Sequence, residues 1–255
     1  MEMITIKSAA EIERMDAAGR VVEETLRLMA KLVEPGITTI ELDREAEAFI
    51  RKSGATPSFL GYSGYPNSIC ASVNEQVVHG IPGKYRLKDG DIISVDVGAY
   101  MNGYHGDAAR TFLVGNVSEE VKKLVTVTRE CFYEGLKFAR PGCRLGDVGA
   151  AVQSHAEANG YGVVREMIGH GIGREMHEDP EVPNYGTAGR GIRLQAGMAI
   201  CIEPMINLGS RRVCFGTDGW LCYAADRKPS AHYENTIVIT DGEPYLTTLH
   251  GEEIQ

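Results

Sequence analysis

No run of apolar residues in this 255-residue chain approaches the roughly 18 that a membrane-crossing helix needs. The amino terminus, Met1-Glu2-Met3-Ile4-Thr5-Ile6-Lys7, has no basic segment followed by an apolar stretch and no cleavage signal, so no secretory leader is expected. The six cysteines, at 70, 131, 143, 201, 214 and 222, form no CxxC pair. In a chain without a leader they read as reduced thiols of a cytoplasmic protein rather than a disulfide framework. There is no long basic tract, and the net charge of −9 argues against nucleic acid as a partner. No phosphate-loop lysine and no GxSxG serine occur. Gly169-His170-Gly171-Ile172-Gly173 fails as a dinucleotide fingerprint, because Arg174 stands where the last glycine belongs. His177-Glu178-Asp179-Pro180 fails as a zincin helix, because Glu181 replaces the second histidine. With 43% hydrophobic and 24% charged residues, the chain has the make-up of a globular protein large enough to bury a core.

What is present is a set of acids in the wrong surroundings. Asp96 closes the run Ile92-Ile93-Ser94-Val95, Glu203 closes Ala199-Ile200-Cys201-Ile202, and Glu234 opens Asn235-Thr236-Ile237-Val238-Ile239. A carboxylate in such a strand is costly to bury unless a cation or hydrogen bonds compensate it. With Asp107 and His170 they make four carboxylates and one imidazole, a donor set whose charge matches two divalent metals. Two such ions would bring the formal net charge from −9 to −5.

The chain also repeats itself at a period of 106–107 residues. Ser8 and Glu11 form a capping box, followed by Ile12, Met15, Gly19, Val22, Leu26, Met29 and Val33 at helical spacing. That helix stops at Pro35-Gly36, and a second follows from the Thr38/Glu41 capping box to Gly54. Val121, Leu124, Thr128, Cys131, Gly135 and Phe138 repeat the spacing, Pro141-Gly142 repeats the break, and the next helix runs to Gly160. The strand ending in Asp96 then matches the one ending in Glu203, from Arg86-Leu87 and Arg193-Leu194 onward. One α+β domain of two halves (about 8–115 and 116–250) related by a pseudo-twofold is expected.

Asn102-Gly103 predicts a type I′ hairpin. A two-residue turn there sets Asp96 opposite Ala109, so Asp107 projects on the same face as Asp96, with backbones roughly 7–8 Å apart. The glycines around His170 imply a close backbone approach at that residue. His79, in a turn-like segment, is a further candidate. His105, His155, His232 and His250 are read as structural histidines.

Six segments carry a resemblance: Asn74-Glu-Gln-Val-Val-His79-Gly-Ile-Pro, Asp91-Ile-Ile-Ser-Val-Asp96-Val-Gly, Gly103-Tyr-His-Gly-Asp107, Gly169-His-Gly-Ile-Gly173, His177-Glu-Asp-Pro and Ala199-Ile-Cys-Ile-Glu203-Pro. They closely resemble type I methionine aminopeptidase, of the M24 metallopeptidases, over essentially the whole chain. The resemblance implies the duplicated pita-bread fold, a central antiparallel sheet with helices on its outer face. It implies removal of an initiator methionine before a small second residue, by water activated between two divalent metals (cobalt, manganese, iron or zinc). Oxygen-rich ligation with one imidazole suits Mn, Fe or Co better than a thiolate zinc site does. By resemblance, Asp96 holds one metal, Asp107 and Glu234 bridge both, and His170 and Glu203 hold the second. Glu203 would also shuttle the proton, His177 would face the scissile carbonyl, and His79 would bond the following amide. Tyr62, Tyr65, Cys70 and Trp220 would line the methionine pocket, and a monovalent cation would sit near Asn74 and Ser230. Expected partners are N-terminal-methionine peptides and nascent chains, with docking at the ribosome and a monomeric state.

Three positions depart from the family pattern: Met176 replaces an aromatic residue, Asn235 a histidine, and the stretch 211–223 around Trp220 matches poorly. That stretch reads as a variable hairpin loop. A prolidase-like enzyme is the rival within the fold, but such enzymes carry a substantial N-terminal domain and here the repeat begins by Ser8. A non-catalytic peptide-binding module is the second rival, and it would be expected to have lost metal ligands.

Overall fold

The computed structural model describes residues 4–254, and the amino-terminal reading over residues 1–3 lies outside them. The first half contributes α1 (Ala9–Leu32), α2 (Thr39–Lys52), β1 (Thr56–Pro57), β2 (Ile69–Val73), β3 (Gln76–Val78), β4 (Ile92–Met101) and β5 (Tyr104–Leu113). The second contributes α3 (Glu119–Leu136), α4 (Leu145–Ala158), β6 (Gly162–Val163), β7 (Gly169–Gly171), β8 (Glu178–Val182), β9 (Ala199–Ile202), β10 (Met205–Asn207), β11 (Val213–Phe215), β12 (Cys222–Ala224), β13 (Ser230–His232), β14 (Asn235–Val238) and β15 (Tyr245–Leu246).

The helices start where their caps allow. Glu11 accepts from the Ser8 N–H at 2.9 Å and from its hydroxyl at 2.8 Å, and Glu41 accepts from the Thr38 N–H at 2.8 Å. Each contact satisfies groups that the first helical turn leaves without intrahelical partners. At α4 the same job falls to Asp147, which accepts from the Arg144 N–H at 2.7 Å. The helix faces are buried as the spacing predicts except near their ends, where Val121 at the start of α3 is also only half-buried. Phe138 is 36% exposed because α3 ends at Leu136, and Ile12 and Val33 are only half-buried at the two ends of α1.

All strand pairs are antiparallel. β4 pairs with β5 along one edge and with β1 and β2 along the other, and α1 and α2 pack beside this sheet. The second half builds a five-stranded sheet in the order β15-β14-β9-β7-β8. Two three-stranded sheets, β13-β10-β6 and β11-β12-β3, complete the layer. An isolated bridge Thr38–Arg86 in the first half has a counterpart Arg144–Arg193 in the second.

The two large sheets meet at a seam between β5 and the start of β14. The Glu234 N–H donates to the Ala109 carbonyl at 3.0 Å, and the Thr236 hydroxyl bonds both the N–H and the carbonyl of Asp107. Behind the seam the Arg110 guanidinium, 2% exposed, donates to the Glu234 carbonyl at 2.6 Å and to Asn235 at 2.9 Å, stacked on the Tyr233 ring. Met15 and Tyr104 of the first half pack with Ile172, Ala199, Cys201 and Val238 of the second, so apolar burial also joins the halves. Full burial of one such large side chain is worth about 1.5–3 kcal/mol.

Candidate metal centre

The hairpin forms in the expected register. Asn102 and Gly103 take positive φ (54° and 84°), as a type I′ turn requires, and Asp96 pairs with Ala109 while Gly98 pairs with Asp107. The two aspartates are therefore diagonal neighbours on one face. Glu234 reaches the same place across the seam, and the Asn235–Ile202 pairing of β14 with β9 sets Glu203 beside it. His170 is the middle residue of β7, between two glycines that have no room for a side chain. A Cβ on Gly169 would lie 2.3 Å from the Cys201 carbonyl oxygen, and one on Gly171 would lie 2.3 Å from that of Asp179.

All eleven residues singled out in the sequence line a single cavity of about 200 Å³. The donor residues Asp96, Asp107, His170, Glu203 and Glu234 form one wall. Tyr65, Cys70, Met176 and Phe59 form an apolar cluster against which Trp220 packs, the Tyr65 and Trp220 rings meeting edge to face at 5.0 Å. Trp220 is delivered by the β11–β12 hairpin, so the poorly matching stretch is indeed a hairpin, and β12 pairs with β3 next to His79. His79 holds φ at 61°, a conformation uncommon outside glycine and worth noting at a candidate site.

The electrostatics call for a cation. Burial and mutual repulsion push Asp96, Glu203 and Glu234 well above the usual carboxylate range, and burial lifts Asp107 to about 7. Asp96 Oδ1, Asp107 Oδ1 and Glu234 Oε1 are buried with no hydrogen-bond partner. The His170 Nδ1–H donates to the Gly171 carbonyl at 2.8 Å, which leaves the Nε2 lone pair facing the acids. Burial lowers His170 to about 4, so its ring is neutral and able to coordinate at neutral pH. Its Nε2 lies 3.7 Å from both Asp107 Oδ2 and Glu203 Oε1. Two donor groups emerge, Asp107-His170-Cys201-Glu234 and Asp96-His232-Glu234, the atoms of each within 4.8 Å of one another. Orphaned carboxylate oxygens facing a neutral imidazole are a donor set that fits divalent cations.

Sequence reasoning missed several residues here. Phe59 and Met205 line the cavity with no local pattern to mark them. Cys201 belongs to one donor group, although burial raises its thiol and keeps it protonated. His232, read as structural from the sequence, belongs to the other, and no local pattern marked it. The other three histidines set aside have ordinary partners: His105 with Ser58, His155 with Glu130, and His250 between Asp16 and Glu23.

Residues 13–241 match the model of metallopeptidase family M24. A methionine aminopeptidase of Clostridium perfringens is 56% identical over 97% of this chain and 99% of its own length. The chain belongs to the methionine aminopeptidases of metallopeptidase family M24. Membership makes it a hydrolase and a metalloprotease, and gives it the duplicated pita-bread fold. The crystal structure of the Thermotoga maritima methionine aminopeptidase superposes with a TM-score of 0.96 at 45% identity, covering 97% of this chain and 100% of that one. Prolidase from Pyrococcus furiosus, at 24% identity and a TM-score of 0.77, shares the fold alone; the match covers 98% of this chain and 66% of that one. Among the described residues, no helix is long and apolar enough to cross a membrane.

Proposed function

We propose that the chain removes the N-terminal methionine from peptides and nascent chains whose second residue is small, using two divalent ions drawn from cobalt, manganese, iron and zinc. In this reading Asp96 would hold one ion, His170 and Glu203 would hold the other, and Asp107 and Glu234 would contribute to both. When bound, the ions supply Lewis acidity, making water a nucleophile at neutral pH and polarising the carbonyl under attack. The observation that carries the proposal is one cavity whose one wall is a cluster of buried, unpartnered carboxylate oxygens and an imidazole and whose other wall is an apolar, sulfur- and aromatic-lined slot. Such a slot suits an unbranched thioether.

The side chains divide the remaining work. Glu203 accepts a proton from the attacking water and delivers it to the departing amine. His177 lies 2.7 Å from the Tyr62 hydroxyl through Nδ1, and burial with the neighbouring His170 and His79 lowers it to about 3, so it is neutral. With Tyr62 donating to Nδ1, His177 carries its proton on Nε2, the nitrogen left to stabilise the developing oxyanion. His79, neutral because burial lowers it, bonds the amide beyond the cleaved residue.

The reading also includes one domain built of two pseudo-repeats, a monomeric state, a cytoplasmic setting and docking at the ribosome. A monovalent cation beside Asn74 and Ser230 belongs to it on the strength of the resemblance. The test is to offer the metal-stripped protein Met-Ala-Ser and Ala-Pro-Ala peptides with and without Mn, Fe or Co. Metal-dependent release of methionine alone is expected. Release from the Ala-Pro peptide would move the chain to prolidase-like chemistry, and no turnover despite two bound ions would make it a binding module.

A further inference from the structure

The family reading gives the centre one imidazole, and the structure places a second beside it. His232 closes β13 at 2% exposure, and its Nε2 is buried without any hydrogen-bond partner. That nitrogen lies 3.8 Å from Glu203 Oε2 and 3.8 Å from Glu234 Oε2, too far for a hydrogen bond to either. Atoms that share one first-row cation, each at about 2.0–2.2 Å, stand roughly 3–4 Å from one another. His170 shows the same signature on the other side, at 3.7 Å from Asp107 Oδ2 and from Glu203 Oε1. Glu203 thus has an imidazole opposite each of its two oxygens.

The main chain holds His232 in this pose. Its N–H donates to Thr111 Oγ1 at 2.9 Å, and the same hydroxyl donates back to its carbonyl at 2.9 Å. That leaves Ser94 to donate to Thr111 Oγ1 at 2.8 Å, so β4, β5 and β13 are locked together at this point. His232 ends β13, Glu234 follows in the short link to β14, and both side chains line the cavity. A histidine with only a packing role would not be left with its buried nitrogen unpaired toward Glu203 and Glu234.

We propose that His232 is a metal ligand, donating Nε2 to the ion held by Asp96 and Glu234, so that each ion of the pair has one imidazole. The proposal rests on the two-ion reading above. A second nitrogen donor moves the site's preference from manganese toward iron, cobalt and zinc.

The experiment is calorimetric titration of the metal-stripped protein with Co(II) and with Mn(II), alongside the Co(II) visible spectrum, for wild type, His232→Gln, His232→Ala and His170→Ala. Thermal melts show that each variant is folded. In the His232 variants one Co(II) step should weaken by about tenfold or more, the other step should hold, the Co(II) bands should shift, and the Mn(II) loss should be smaller. Free imidazole should restore the lost step in His232→Ala. Unchanged steps and an unchanged spectrum in both His232 variants, with His170→Ala losing a step, would overturn this inference alone. A wild type that takes only one ion would overturn the two-ion reading on which it stands, and a His170→Ala protein that keeps both would remove His170 from the ligands of that reading.

Discussion

Tyr62 and His177 show how much chemistry one contact can settle. Desolvation lifts the Tyr62 phenol above its usual value, so it stays protonated, and its donation to His177 Nδ1 would leave the histidine's proton on Nε2. Tyr62→Phe should therefore lower kcat by about three- to tenfold with little change in KM, since each 1.4 kcal/mol is a factor of ten. His177→Ala and Glu203→Gln should each lower kcat by about 10²–10³, in line with loss of an oxyanion donor or a general base. Steady-state rates on Met-Ala-Ser check all three, and a near-wild-type rate for His177→Ala or Glu203→Gln would remove that residue from the chemistry. At this scale the acids were legible because a carboxylate at the end of Ile-Ile-Ser-Val or Ala-Ile-Cys-Ile has few explanations other than a cation. His232 was not legible, since a lone histidine next to Ala231 and Tyr233 looks the same whether it packs or coordinates.

Among the elements, the decisive contact is between α1 and β5. A Cβ on Gly106 would lie 2.9 Å from the Gly19 nitrogen, and a Cβ on Gly19 would lie 1.8 Å from the Thr247 carbonyl oxygen. The helix backbone therefore rests directly on the strand that presents Asp107. Gly106→Ala should push the helix outward and cost about 1–3 kcal/mol, as overpacking typically does. A melt by circular dichroism should show a Tm several degrees lower, and an unchanged Tm would mean that the helix moves freely over the strand. Capping boxes, Pro-Gly breaks and the Asn-Gly turn made α1, α2 and the β4–β5 hairpin legible, because each is decided within a few neighbouring residues. Strands of two or three residues such as β3, β7 and β13 carry no such local information. For β3 and β13 the partners, β12 and β10, lie well away in the chain, and only the packed fold selects them.

For the whole molecule, the charge cluster makes stability depend on both pH and metal. Asp107 moves from an ordinary 3.8 to about 7, and Asp96, Glu203 and Glu234 are raised as well. Carboxyls raised in the folded state help it most when protonated, so their contribution is full below the unfolded value near 4 and lost as pH climbs toward and past 7. The metal-stripped protein should therefore lose Tm across that window. Added Co(II) or Mn(II) displaces the protons, so its stabilising effect should grow with pH. Melts with and without metal at about pH 5.5 and about pH 8 read the difference. An equal metal effect at both values would mean that the carboxyls are ionised without a cation.

The seam has a consequence for biosynthesis. The proposed donors come in the order Asp96, Asp107, His170, Glu203 and Glu234, and the backbone N–H of the last is locked against Ala109. The tail after it reaches back to α1, where His250 sits between Asp16 and Glu23. Contacts spanning more than 200 residues of sequence delay folding, because the intervening chain must first be ordered. A chain still being translated would therefore be an inert apoprotein until residue 234 had emerged, and it would become a catalyst only when its two halves closed.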